Sequence, residues 1–133
     1  MRRLIVLIRD TVMRLGKAAG LLKKDIKPDE PIPYLDLKPQ QWRSLKTKGS
    51  TALTPIINDA LWASKCLLEA NHDSIFACPR YCNETGYKAN SASGGLNKCL
   101  HQYVSEKCIT HGFRHSFRDR LKVMECSFNI VDA

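Results

Sequence analysis

Tyr34-Leu35-Asp36-Leu37 places two leucines on one side of the chain and a tyrosine and an aspartate on the other, which is the pattern of a short β-strand. A second strand is predicted over residues 42–46, followed by a turn at Thr47-Lys48-Gly49-Ser50. A third strand is predicted over residues 52–54. Three short strands joined by turns predict a small antiparallel sheet within residues 33–56.

A helix is predicted upstream of this sheet, over residues 2–23. Its apolar side chains recur at nearly helical spacing, at Leu4, Ile5, Leu7, Ile8, Leu15, Ala18, Ala19 and Leu22. The segment from Lys27 to Pro33 follows it and contains three prolines, which favour a turn.

Further helices are predicted downstream of the sheet. Asn58 or Asp59 can cap the first, and Ser91 or Ser93 can cap a second that runs to Tyr103, with residues 71–90 irregular between them. Thr110 can cap a third from His111 to about Val123, and Ser127 can open a short last helix. The expected fold is a single mainly α domain with a small three-stranded antiparallel sheet (α+β).

The 133 residues carry 21 Lys and Arg against 13 Asp and Glu, a net charge of +8. The excess is concentrated in residues 1–50, which hold 12 basic and 5 acidic side chains. Such a basic half is typical of chains that bind a polyanion, most often nucleic acid, although it also fits a solvated face that maintains solubility. The apolar run Leu4–Ile8 is too short for a signal peptide or a membrane span, so we expect a cytoplasmic chain with no membrane partner.

The six cysteines are expected to be reduced, because no secretory signal accompanies them. Most fit small buried apolar side chains. One alternative is a zinc site formed by Cys78, Cys82, Cys99 and His101, although their spacing is irregular and no CxxC pair is present.

The segment with the clearest chemical content is Thr110-His111-Gly112-Phe113-Arg114-His115-Ser116-Phe117-Arg118-Asp119. At the start of a helix, His111 and Arg114 lie three residues apart and share a face. The arginine can grip two phosphate oxygens, and the histidine can transfer a proton near neutral pH. The pair also fits a surface histidine beside a salt-bridged arginine.

This segment resembles the second sequence box of tyrosine recombinases, the phage-integrase family, which reads His-x-x-Arg followed by His, a small hydroxyl residue and an apolar residue. Asp10-Thr11-Val12-Met13-Arg14-Leu15-Gly16-Lys17 is similar to the first box, in which an arginine follows Thr-Gly-x. Leu45-Lys46-Thr47-Lys48-Gly49-Ser50 resembles the β-hairpin that carries the catalytic lysine. The three boxes occur in the family's order and span most of the chain.

The resemblance implies a role for each matching residue. Arg14 and Arg114 are the two arginines that neutralise the phosphodiester transition state, and His111 is the proton-transfer group. Lys46, with Lys48 as the alternative, protonates the leaving 5′ oxygen. The DNA-binding surface then includes Lys48, Arg43 and His115, and His115 is expected to hold the helix start by hydrogen bonds. The partner is double-stranded DNA, no cofactor is needed, and a bacterial or phage origin follows.

The sequence also departs from the family. Val12 stands where the first box has glycine, and Lys17 where it has glutamate. All four tyrosines precede His111, so none occupies the place of the family's nucleophile. We therefore expect a partial catalytic domain, as from a decayed prophage, that lacks the N-terminal DNA-clamping domain and is inactive in strand transfer alone.

Two other functions are compatible with the sequence. The chain could act as an interfering partner of other recombinase protomers, which associate on DNA. It could instead be a nucleic-acid-binding module stabilised by zinc at the cysteine–histidine set named above. Metal analysis separates the last hypothesis from the others.

Overall fold

The computed structural model describes residues 1–41, 53–70, 73–125 and Ser127. Among these residues the helices are α1 (Arg2–Thr11), α2 (Leu15–Ala19), α3 (Asp59–Glu69), α4 (Ala89–Tyr103) and α5 (Gly112–Val123). The strands are β1 (Ile26–Lys27), β2 (Tyr34–Asp36), β3 (Leu53–Pro55), β4 (Cys82–Asn83) and β5 (Gly86–Tyr87). The class is α+β, with a small antiparallel sheet, as the sequence predicted.

The three-stranded sheet has the order β1-β2-β3, with β2 in the centre. β2 and β3 pair antiparallel, with Leu35 opposite Thr54, and both lie where strands were predicted. The third member differs from the prediction. β1 pairs Ile26 with Leu35, although this region was expected to lead from a helix into a turn. The predicted strand at 42–46 and the turn at 47–50 lie outside the described residues.

The upstream helix is interrupted, which corrects the prediction of one helix over residues 2–23. α1 ends at Thr11, residues 12–14 leave the helical conformation, and α2 starts at Leu15 and ends after five residues. A short 3-10 turn at Lys23–Asp25 then leads into β1. The carboxylate of Asp25 is buried and accepts a hydrogen bond from the Leu22 N–H (3.1 Å), which holds this turn in place.

The downstream helices agree closely with the sequence. α3 begins at Asp59, and α4 ends at Tyr103 as predicted but begins at Ala89. α5 ends at Val123 as predicted but begins at Gly112, so its N-cap residue is His111 rather than the predicted Thr110. The segment before α4 contains the two-stranded hairpin β4–β5, so residues 71–90 are not wholly irregular. The predicted helix after Ser127 lies outside the described residues.

The main hydrophobic core lies between α1 and the elements around it, and α1 packs chiefly against α3. Its fully buried larger side chains come from α1, the segment after α2, the central strand and α4, and include Leu4, Leu7, Leu21, Leu35 and Leu96. α5 has no buried residue and joins this core through the half-buried ring of Phe113. α1 is therefore the central element against which the sheet and the helices are arranged.

Candidate nucleic-acid interface

The first half of the candidate site is the break between α1 and α2. α1 ends with the Val12 N–H donating to the Ile8 carbonyl oxygen (2.9 Å), and Val12 then adopts a left-handed conformation, with φ 57° and ψ 17°. Arg14 follows in an extended conformation and is the N-cap residue of α2. The side chain of Arg14 is exposed, so the break presents a guanidinium to solvent.

The left-handed conformation of Val12 is unusual for a β-branched residue, because its Cβ substituents crowd the neighbouring peptide groups. Glycine takes this conformation without that cost. The first recombinase box has glycine at the position that corresponds to Val12. The backbone of Val12 is left-handed, a conformation that glycine adopts more easily than valine.

The second half of the site is the start of α5. His111 is the N-cap residue, without a side-chain capping bond, and its exposed ring lies 4.6 Å from the ring of His115, centroid to centroid and nearly perpendicular to it. The contact that holds His115 is thus an edge-to-face ring contact with His111 rather than the hydrogen bonds expected from the sequence. The two histidines form a pair of polar aromatic side chains at the end of the helix that carries Arg114.

A hydrogen bond from Arg114 joins the two halves. Nη1 of Arg114 donates to the carbonyl oxygen of Val12 at 3.2 Å, across 102 residues of sequence. Two residues of extended chain span about 7 Å at most, so the Cα atom of Arg14 lies within about that distance of the Val12 Cα atom. The structure therefore brings the backbone around Arg14 next to the Arg114 guanidinium.

This arrangement suits an anionic ligand. Arg114 is half-buried, and one N–H of its guanidinium donates to the Val12 carbonyl oxygen. Arg14 and His111 are exposed on the two flanking segments. Cationic donors on two converging backbone segments can bind neighbouring oxygens of one phosphate group.

The remaining predicted site residues, Arg43, Lys46 and Lys48, lie outside the described residues. The strands on either side of them in sequence, β2 and β3, are neighbours in the sheet. Lys17, which stands in place of the family's glutamate, lies in α2.

Two residues near the site were missed by the sequence analysis. Tyr87 of β5 lies against Gly16 of α2, where an added Cβ would lie 3.3 Å from Cε1 of the ring, a tight contact. The side-chain oxygen of Asn97 in α4 accepts a hydrogen bond from the Thr110 N–H at 3.0 Å. Neither contact has a signal in the local sequence pattern, because both join segments that are distant along the chain.

The zinc alternative receives no support from the geometry. Within residues 1–41, 53–70 and 73–125, no group of three or more His, Cys, Asp or Glu side chains is placed to hold a metal ion. Cys78 and Cys82 are buried, and burial raises the pKa of the Cys78 thiol to about 11, which opposes the thiolate that zinc would need. The five cysteines of the described residues are thiols rather than disulfides.

Comparison with known proteins adds no relative: no family model, curated protein or solved structure matches the chain. In the part of the chain that the structure describes, no helix has the length and apolar character needed to cross a bilayer.

Proposed function

We propose that this chain is a DNA-binding part of a tyrosine-recombinase catalytic domain, in which Arg14 and Arg114 bind one backbone phosphate. The observation that carries the proposal is the hydrogen bond from Arg114 to the Val12 carbonyl, which joins the two segments that resemble the first and second boxes.

The backbone at residue 12 supports the same proposal independently. The left-handed conformation of Val12 is the conformation for which the family's glycine is suited, and it directly precedes the extended segment that presents Arg14. A glycine, as in the family's first box, would adopt this backbone conformation without strain.

In this proposal the two arginines bind the non-bridging oxygens of a DNA phosphate, and His111 is the group able to move a proton beside them. Lys46 is assigned to the leaving oxygen by the resemblance alone. The tyrosines of these 133 residues all precede His111, and Tyr81 is buried in the core, so we assign binding rather than strand transfer to the chain as it stands.

Salt-dependent DNA binding tests the proposal. The affinity of the 133-residue chain for a short duplex is measured by fluorescence anisotropy over a range of salt concentrations, for the wild type and for Arg114→Ala and Arg14→Ala. Each variant should weaken binding and lower the slope of log affinity against log salt by about 1, the value for one lost phosphate contact.

Arg3→Ala is the matched control because it removes the same charge from the exposed first turn of α1. Nine residues of helix separate Arg3 from Val12, which is about 13 Å. If Arg3→Ala weakens binding as much as Arg114→Ala, the affinity comes from net charge alone and the proposed phosphate site is wrong.

A nicked duplex that traps phosphotyrosine tests the assignment of binding rather than strand transfer. We expect no covalent protein–DNA adduct from the 133-residue chain. An adduct that disappears when one of Tyr34, Tyr87 or Tyr103 is changed to Phe would overturn that assignment.

A second candidate function is association with other recombinase protomers, and the surface of α5 favours it. Phe117, Val123 and Met124 of this segment are 45%, 84% and 74% exposed. Phe117 and Val123 lie in α5 and Met124 directly follows it, and exposed apolar side chains that group together on a surface are typical of a protein-binding face. Added to a reaction catalysed by an intact recombinase with matching boxes, the chain should inhibit strand exchange, and Phe117→Ser should reduce the inhibition.

A further inference from the structure

The backbone of Thr110, one residue before the N-cap of α5, is bound to a side chain of α4. Thr110 is buried, with 7% of its surface exposed, and its N–H donates to Oδ1 of Asn97. A buried N–H without a partner is costly, so this bond fixes where the chain must pass before it enters α5.

The amide of Asn97 is itself oriented by its own helix. Nδ2 of Asn97 donates to Oγ of Ser93 at 3.4 Å, one turn earlier in α4. This second bond assigns the nitrogen to the Ser93 side and leaves the oxygen directed at Thr110. Ser93, Asn97 and Thr110 therefore form a chain of hydrogen bonds that ends at the start of α5.

Little within α5 itself fixes its start. The N-cap residue His111 makes no side-chain capping bond, and the bond from the His115 N–H to the His111 carbonyl is long, at 3.4 Å. The direction of the first turn consequently depends on contacts with other elements. Within the described residues these contacts include the Asn97–Thr110 bond, the packing of Phe113 on the core and the Arg114–Val12 bond.

We infer that Asn97 is a positioning residue: through Thr110 it sets the first turn of α5, and so places His111 and Arg114 beside the Arg14 segment. The inference goes one step beyond the proposed function and rests on that function only for its consequence in DNA binding. The hydrogen bonds that the structure gives the Asn97 side chain are with Ser93 and Thr110, neither of which is one of the proposed phosphate-binding residues.

The structural part of the inference is tested by NMR in the absence of DNA. The readouts are the ring signals of His111 and His115 and the hydrogen-exchange rate of the Thr110 amide. Asn97→Ala should shift both ring signals and speed exchange at Thr110, whereas Asn97→Asp, which keeps an acceptor oxygen, should restore both. Asn90→Ala, which alters an exposed asparagine of the same helix, is the control and should change neither.

Asn97→Leu serves in place of Asn97→Ala if the alanine variant does not fold, because leucine has a similar size, favours helix and accepts no hydrogen bond. Ring signals that stay at their wild-type positions in Asn97→Ala or Asn97→Leu would overturn the inference, whatever the DNA results are.

Duplex binding separates this inference from the proposed function. Asn97→Ala should weaken binding by no more than Arg114→Ala does, and adding Arg114→Ala to it should cause little further loss. If the ring signals move but neither variant alters DNA affinity, Asn97 is a positioning residue and the proposed function is wrong. If Arg114→Ala weakens binding while Asn97→Ala changes neither signals nor affinity, the proposed function stands and the role of Asn97 is refuted.

Discussion

Because the backbone at position 12 is left-handed, we predict that a glycine variant is more stable there than an alanine variant, the reverse of their usual order within a helix. Val12→Ala and Val12→Gly both remove the γ-methyl groups of valine, so the two variants differ by one methyl group and by the cost of the backbone conformation. The left-handed conformation destabilises the folded state by about 1–2 kcal/mol for an L-amino acid other than glycine. Glycine destabilises it by about 0.5–1 kcal/mol, because glycine has more conformational freedom in the unfolded chain. The glycine variant should therefore be more stable than the alanine variant by about 0.5–1 kcal/mol.

Urea denaturation followed by circular dichroism measures this difference, and thermal unfolding should show it as about 2–5 °C in Tm. The matched control is Val6, which lies in the middle of α1 with helical backbone. At position 6 the alanine variant should have a free energy of unfolding about 1 kcal/mol higher than that of the glycine variant. If alanine is also the more stable residue at position 12, the left-handed turn before Arg14 is absent and the geometric support for the first box is lost.

Three further predictions concern stability. Ser64→Ala should raise the free energy of unfolding by about 1 kcal/mol in urea denaturation, because the Ser64 hydroxyl is buried and has no hydrogen-bond partner among the residues that the structure describes. A gain no larger than that of exposed Ser116→Ala would contradict this. Burial raises the pKa of the Cys78 thiol to about 11, so the folded state keeps this proton to a higher pH than the unfolded state does. The free energy of unfolding should therefore be steady below pH 9 and fall by about 2–3 kcal/mol between pH 9 and 11. A Cys78→Ala variant with the same fall would refute this. Asp10→Ala should lower the free energy of unfolding by about 1–2 kcal/mol, because the Asp10 carboxylate accepts a hydrogen bond from the Ala60 N–H (3.1 Å) in the first turn of α3. Asp10→Asn keeps an oxygen that can accept this bond, so its free energy of unfolding should fall by less.

The parts of the fold that were predictable are those with a regular local pattern. β2 was predicted because two leucines alternate with Tyr34 and Asp36, and the structure buries both leucines. α3 begins directly after Asn58, one of the two residues at which a cap was expected. The break after α1 was not predicted, because the apolar spacing continues through it and valine gives no sign of a left-handed turn. β1 is two residues long, and its pairing with β2 is a tertiary contact that no alternation could reveal.

The candidate site was likewise predictable only where its residues are close together in the sequence. His111 and Arg114 could be paired from their spacing on one helix, but their approach to the Arg14 segment depends on a hydrogen bond between residues 102 positions apart. Only the resemblance to a family suggested that approach. The contacts of Asn97 with Thr110 and of Tyr87 with Gly16 had no counterpart in the sequence motifs, because each depends on how α4 or the β4–β5 hairpin packs against the site.

A double-mutant cycle in duplex affinity tests most directly the claim that Arg14 and Arg114 bind one phosphate. Affinities are measured at one fixed salt concentration for the wild type, Arg14→Ala, Arg114→Ala and the double variant. Two arginines on the same phosphate should be coupled, so the double variant should lose less than the sum of the two single losses, with an interaction energy above about 0.5 kcal/mol. Losses that add within about 0.3 kcal/mol would show that the two arginines act independently and would contradict the shared phosphate site.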